Sequence, residues 1–217
     1  MKARATTFAV VFLASTACHP VDKDIAKSDS AVASSTSMFI GAPKRVDSLT
    51  FELPLQSGKS LTFRDNPVEG DSFVHYEYVG PLPGIGYHLI RRQYYESVQY
   101  LLVHPRTGIT SVVPDSPTVS PDQKRVLVAS MNFEDGESPN SLEVWQTTSD
   151  SLRLEFRAET GDAEAMTGWG PSDAQWINAT TSAFTRNYPI KNTTEMRQSP
   201  GWLVLRPSGW VIQDQRP

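Results

Sequence analysis

Few side chains in this sequence can do chemistry, and their spacing is poor for it. A metal site needs several histidines, cysteines or carboxylates converging, usually at recognisable intervals. The chain offers His19, His75, His88, His104 and a single cysteine, Cys18, with no His-Glu-x-x-His element. His75 sits in Phe73-Val74-His75-Tyr76-Glu77-Tyr78, where alternation puts Phe73, His75 and Glu77 on one face of a strand. His88 and His104 also fall in strand-like stretches, so all three read as surface or sheet-face imidazoles, and no metal or other cofactor is expected. A Gly-x-Ser-x-Gly elbow, which would present a serine nucleophile, is absent. Gly84-Ile85-Gly86 lacks a third glycine, since Leu89 stands in its place, and Pro81 and Pro83 make the segment a plain loop rather than a phosphate cradle. No catalytic residue is assigned.

Two features could serve recognition instead. Carboxylates cluster in Phe133-Glu134-Asp135-Gly136-Glu137-Ser138-Pro139-Asn140. Counting back from Gly136 places Asp135, Phe133 and Met131 at alternate positions, which fails as a calcium loop. The segment reads as an acidic, solvated loop, and Glu134, Asp135 and Glu137 are candidate binding residues because loops on rigid scaffolds often carry function. Asp162 and Glu164 occupy a similar loop. All five tryptophans, Trp145, Trp169, Trp176, Trp202 and Trp210, lie in the C-terminal part, downstream of a tyrosine group at Tyr94, Tyr95 and Tyr100. Exposed Trp and Tyr anchor protein partners and sugar rings. Trp169 is the candidate among them, because Gly168 and Gly170 flank it in a loop.

The elements that position these residues begin with an export signal. Met1-Lys2-Ala3-Arg4 is a basic start, Phe8-Ala9-Val10-Val11-Phe12-Leu13 an apolar segment, and Ala14-Ser15-Thr16-Ala17 a run of small residues. The apolar segment is too short for a permanent bilayer span, which takes roughly twenty residues. The only cysteine follows immediately, so no internal disulfide can form.

Leu13-Ala14-Ser15-Thr16-Ala17-Cys18 resembles the lipobox of bacterial lipoproteins. That resemblance implies cleavage before Cys18, acylation of its sulfur and new amino group with chains of the palmitate kind, and anchorage to a lipid bilayer. Ser15 departs from the family's preference for Leu, Val or Ile at that position, and Ser15 with Ala17 also suits ordinary signal peptidase, which would release a free periplasmic or secreted protein. His19, where retained inner-membrane members carry Asp, implies passage to the outer membrane, facing the periplasm.

Residues 19–37 are rich in Ser, Ala, Asp and Lys, without an apolar cluster, and read as a tether that cannot offset its ordering entropy by burial. The expected organisation is a signal peptide over 1–17, the cysteine and tether over 18–46, and one domain over 47–217. Twenty Lys and Arg face twenty-four Asp and Glu. Losing Lys2 and Arg4 with the leader leaves a net charge of about −6, without the basic footprint that phosphate backbones require. Nucleic acid is excluded as a partner on that ground.

From residue 47, Val, Thr, Tyr, Phe and Trp recur with a period near two, which predicts an all-β domain. Four segments read as one repeated hairpin with a polar turn: 49–63, 101–113, 142–156 and 202–212. Ser120-Pro121-Asp122-Gln123-Lys124-Arg125 leading into Val126-Leu127-Val128-Ala129-Ser130 resembles the inner strands of blades in the WD-repeat and Tol-associated propeller families, and residues 171–186 look like a degraded second copy. The resemblance implies a small four-bladed propeller-like assembly; an antiparallel β-sandwich or barrel would give similar hairpins. The whole pattern describes an exported, anchored, non-catalytic binding module of the cell envelope, with an envelope protein or glycan as partner. An envelope glycan hydrolase working through loop carboxylates, and a purely structural lipoprotein, are the alternatives.

Overall fold

The structure, a computed structural model, describes residues 43–133, 140–162 and 167–217, all within one compact unit, Met38–Pro217. The chain folds all-β, with no helix among the described residues. Among the described residues, sixteen strands form four antiparallel sheets, each built from consecutive strands. The first sheet holds β1 (Lys44–Arg45), β2 (Thr50–Pro54) and β3 (Ser60–Arg64). The second holds β4 (His75–Pro81), β5 (His88–Gln93), β6 (Val98–Val103) and β7 (Thr110–Val113). In the third are β8 (Thr118–Val119), β9 (Arg125–Ser130), β10 (Asn140–Thr147), β11 (Leu152–Asp162) and β12 (Thr167–Gly168). The fourth contains β13 (Gly170–Asn178), β14 (Thr181–Pro189), β15 (Met196–Arg206) and β16 (Gly209–Gln213). None of the four closes into a barrel among the described residues.

Each of the four repeated hairpins supplies one sheet. Segment 49–63 becomes β2–β3, 101–113 becomes β6–β7, 142–156 becomes β10–β11 and 202–212 becomes β15–β16. Segment 171–186, read as a degraded second copy, falls in two strands, β13 and β14. Asp173, at φ 53°, lies where the register slips between Ser172 and Gln175. The first strand, β1, precedes residue 47 and pairs Lys44 with Glu52 and Arg45 with Phe51.

Alternation explains how the sheets assemble, because successive residues of a strand point to opposite faces. In β6, Leu101 and Val103 enter one core while Leu102 enters another. Likewise Val126 and Val128 of β9 face one core and Leu127 the next. The two middle sheets are therefore apolar on both faces, as sheets buried on both sides must be. Three cores result. Phe51, Leu53, Leu55, Ile90, Leu101 and Val103 join the first sheet to the second. Leu89, Leu102, Val113, Val126 and Val128 join the second to the third. Leu127, Leu142, Val144, Phe184, Leu203 and Trp210 join the third to the fourth.

The hairpin turns at one end of the sheets are also stitched together. Gln56 N–H donates to the Pro105 carbonyl at 2.9 Å, tying the β2–β3 turn to the β6–β7 turn. The Thr107 hydroxyl donates to the Asp150 carbonyl at 2.9 Å and Arg106 pairs with the Asp150 carboxylate at 2.6 Å, which carries the stitching on to the β10–β11 turn.

Candidate functional site

Of the recognition residues singled out above, Cys18, Glu134, Asp135 and Glu137 lie outside the described residues, as does Glu164. Trp169 is described and half-buried. Its ring stacks on Phe184 with centroids 5.5 Å apart and planes at 15°, and the Arg186 guanidinium lies 5.2 Å from its centroid. Its neighbouring glycines answer to packing: a Cβ on Gly168 would overlap the Thr160 carbonyl, and one on Gly170 would overlap Met131. The aromatic face of Trp169 is thus engaged inside the protein.

The histidines are held in three different ways. His75 Nδ1 lies 2.9 Å from the Asp65 carboxylate, which also accepts the Tyr76 N–H at 2.8 Å and has Arg45 at 3.7 Å. His88, on β5 as a sheet residue, and His104, just beyond β6, are both buried rather than at the surface. His88 shares a 3.0 Å hydrogen bond with the Tyr78 hydroxyl through Nδ1, leaving Nε2 buried without a partner. His104 accepts the Arg106 and Thr107 backbone N–H groups on Nδ1, at 3.3 and 3.1 Å, and so caps its own turn. Burial depresses both imidazoles below the usual histidine range, and the nearby Arg106 charge adds to it at His104. No three His, Cys, Asp or Glu among the described residues are grouped to hold a metal ion.

A cleft of about 370 Å3 opens where the second and third sheets part, at the end opposite the stitched turns. Its origin lies in the sequence of the facing strands. Along β9, the residues turned toward the second sheet run Val126, Val128, Ser130; along β5 they run Leu89, Arg91. Sheets pack about 10 Å apart when large apolar side chains fill the gap. Replacing them by a serine on one wall and an arginine on the other leaves that gap unfilled. Register aligns the second sheet's wall, pairing Glu77 with Arg91, Arg91 with Tyr100 and Tyr100 with Val113. Glu96 and Ser97 from the β5–β6 turn, Val98 at the start of β6, Pro114 and Asp115 beyond β7, and Met131 and Asn132 beyond β9 complete the lining.

The polar groups of the cleft differ in how well they are satisfied. Arg91 donates to Gln93 Oε1 at 3.0 Å and has the Glu77 carboxylate at 3.7 Å, so its guanidinium is held along the wall. Burial pushes the Asp115 carboxyl above the ordinary carboxylate range, against the Ser116 N–H that donates to it. Asn140, fully buried, uses its side-chain amide to accept the Asn132 N–H at 2.8 Å and to donate to the Asn132 carbonyl at 3.0 Å, which extends the β9–β10 pairing to the rim. Ser130 is 4% exposed, and its hydroxyl makes no hydrogen bond with the described residues. That hydroxyl is not among the buried polar atoms left without a partner, so it opens to the cleft, where water or a ligand can meet it.

Deeper carboxylates are already engaged. Glu143, 1% exposed, accepts the Trp145 indole N–H at 2.8 Å and the Arg157 Nε–H at 2.9 Å. Glu155 forms two hydrogen bonds with Arg125, at 2.7 and 3.2 Å. Burial would raise the Glu155 carboxyl, but the hydrogen bonds from Arg125 and the Arg125 and Arg153 charges hold it below the usual range.

No protein-family model, no curated protein and no solved structure matches the chain. Sequence reasoning did not find Arg91, Asp115 or Ser130, although it noted Tyr100 among the aromatics. The one local signal was the small residue ending the Val126-Val128-Ser130 alternation. The cleft itself arises from register between segments that are distant in sequence.

Proposed function

We propose that this chain is an exported, lipid-anchored, non-catalytic binding module of the cell envelope, and that the cleft between its second and third sheets is its recognition site. The open polar cleft, which brings Arg91, Asp115 and Ser130 to one opening between the sheets, carries this reading. Anchorage rests on the lipobox-like Leu13–Cys18 segment and the outer-membrane address on His19. The four sheets are read as the blades of a small propeller-like assembly, supported by three cores that each join one sheet to the next.

Binding is favoured over hydrolysis because the most buried carboxylates are saturated. Glu143 holds Trp145 and Arg157, and Asp65 holds His75 and the Tyr76 N–H. A general acid or nucleophile needs an uncommitted oxygen beside the reacting bond. The Asp65–His75 pair has the geometry of a base and its orienting carboxylate, but the imidazole has no hydroxyl partner among the described residues.

The anchoring half of the reading is tested by substituting the cysteine. Cys18→Ser moves the protein from the membrane fraction to the soluble fraction and lowers its mass by the acyl chains. Unchanged membrane association and mass in that variant would refute it.

A further inference from the structure

The cleft between the second and third sheets also indicates what it binds, on the premise that it is the recognition site proposed above. Its charges narrow the choice. Glu96 and Asp115 line it, so an anionic ligand would bring like charge against two carboxylates. Arg91 lines the same sheet's wall, so a cationic ligand would also meet a guanidinium fixed there by Glu77 and Gln93. A neutral ligand avoids both penalties. Its polar groups must nonetheless satisfy both donors and acceptors along the lining: the Arg91 guanidinium as donor, the Asp115 and Glu96 carboxylates as acceptors, and the Ser130 and Ser97 hydroxyls as either. Few neutral molecules combine donor and acceptor at every position, and a hydroxyl does so on a single atom. Tyr100, between Arg91 and Val113 in the register, adds an aromatic side chain to the same wall. A sugar ring offers C–H groups to an aromatic surface and hydroxyls around its edge. At about 370 Å3 the cleft lies at the small end of ligand sites, suited to a few linked rings rather than a folded surface.

We propose that the cleft binds a neutral, polyhydroxylated saccharide segment, its hydroxyls bridging Arg91, Asp115 and Ser130 and one ring lying against Tyr100. The fixed arginine distinguishes this from capture of a basic peptide, which would require a wall of carboxylates alone.

Calorimetric titration of the full chain in mild detergent tests the assignment, with cellotetraose, the N-acetylglucosamine tetramer and pentalysine as probes. Saccharide binding is expected for at least one of the two tetramers, with pentalysine silent. Tyr100→Ala and Ser130→Ala each weaken it by about tenfold, the loss expected from one ring contact or one hydrogen bond. Tyr95→Ala, an exposed tyrosine outside the cleft, leaves it unchanged. Thermal unfolding of each variant confirms that the fold persists, and Tyr100→Phe, which keeps the ring, restores binding if Tyr100→Ala proves unstable. No heat from either tetramer at millimolar concentration overturns the proposal, and so does saccharide binding that Tyr100→Ala and Ser130→Ala leave intact. Pentalysine binding lost in those two variants also overturns it, while leaving the recognition site in place. Release of new reducing ends from a tetramer would instead sink the non-catalytic reading, and the Cys18→Ser fractionation scores the anchor separately.

Discussion

Two histidines set how this protein responds to acid. His88 and His104 are buried and neutral, and burial holds both below the unfolded value of about 6.5. A depressed imidazole contributes stability that is present above the unfolded value and disappears as pH falls through the folded one. Protonation at His104 would also remove the Nδ1 lone pair that caps the Arg106 and Thr107 N–H groups. The urea midpoint should therefore fall between neutral pH and pH about 5, and His88→Phe should flatten that slope whatever it does to the midpoint itself. An equally steep slope in the variant would show that His88 does not carry the effect. The sequence marked these imidazoles as strand residues but not as buried ones, because their cover comes from a neighbouring sheet. The same distance in sequence hid Ser130, an ordinary strand-end serine until the second sheet turns its Arg91 wall toward it.

Turn chemistry governs the strands themselves. Gly108 at φ 74° and Gly58 at φ 78° occupy the same left-handed region in corresponding hairpin turns. A side chain at either position costs about 1–2 kcal/mol in backbone strain. At Gly58 the added Cβ would meet nothing, whereas at Gly108 it would sit 2.7 Å from Leu55 Cδ1, across the boundary between the first and second sheets. Gly108→Ala should thus lower stability more than Gly58→Ala in urea unfolding; equal losses would mean that Leu55 yields without cost. At this scale the sequence was informative. Its four hairpins, with polar turns such as Arg106-Thr107-Gly108, reappear one to a sheet, since alternation and turn residues are local properties. The two-residue strands β1, β8 and β12 escaped notice because two residues carry no period and exist only through their partners. Within segment 171–186, read as a degraded copy of the Ser-Pro-Asp unit, the turn at Asn178-Ala179-Thr180 lacks glycine; there the Asn178 side chain accepts the Thr180 N–H at 2.9 Å instead.

Across the whole molecule, stability is distributed over three separate cores. Leu102, fully buried between the second and third sheets, is walled by residues of both. Truncation there leaves a cavity, and Leu102→Ala should cost about 2–5 kcal/mol by chemical denaturation. A loss below about 1 kcal/mol would mean that the sheets collapse together to fill the space. That an all-β domain forms was legible from the period of two, but the order in which sheets face one another was not. Double-sided strands such as Leu101-Leu102-Val103 read as simple apolar runs until both neighbours are known. The stitched turns give this stack a further property. Thr107 and Arg106 bind the second and third sheets together at one edge, like the spine of a book. Pages fastened along a spine part most easily at the fore-edge, and Ser130 and Arg91 lie there, so small rotations about the bound edge widen or narrow the opening while the leucines between the leaves stay in contact.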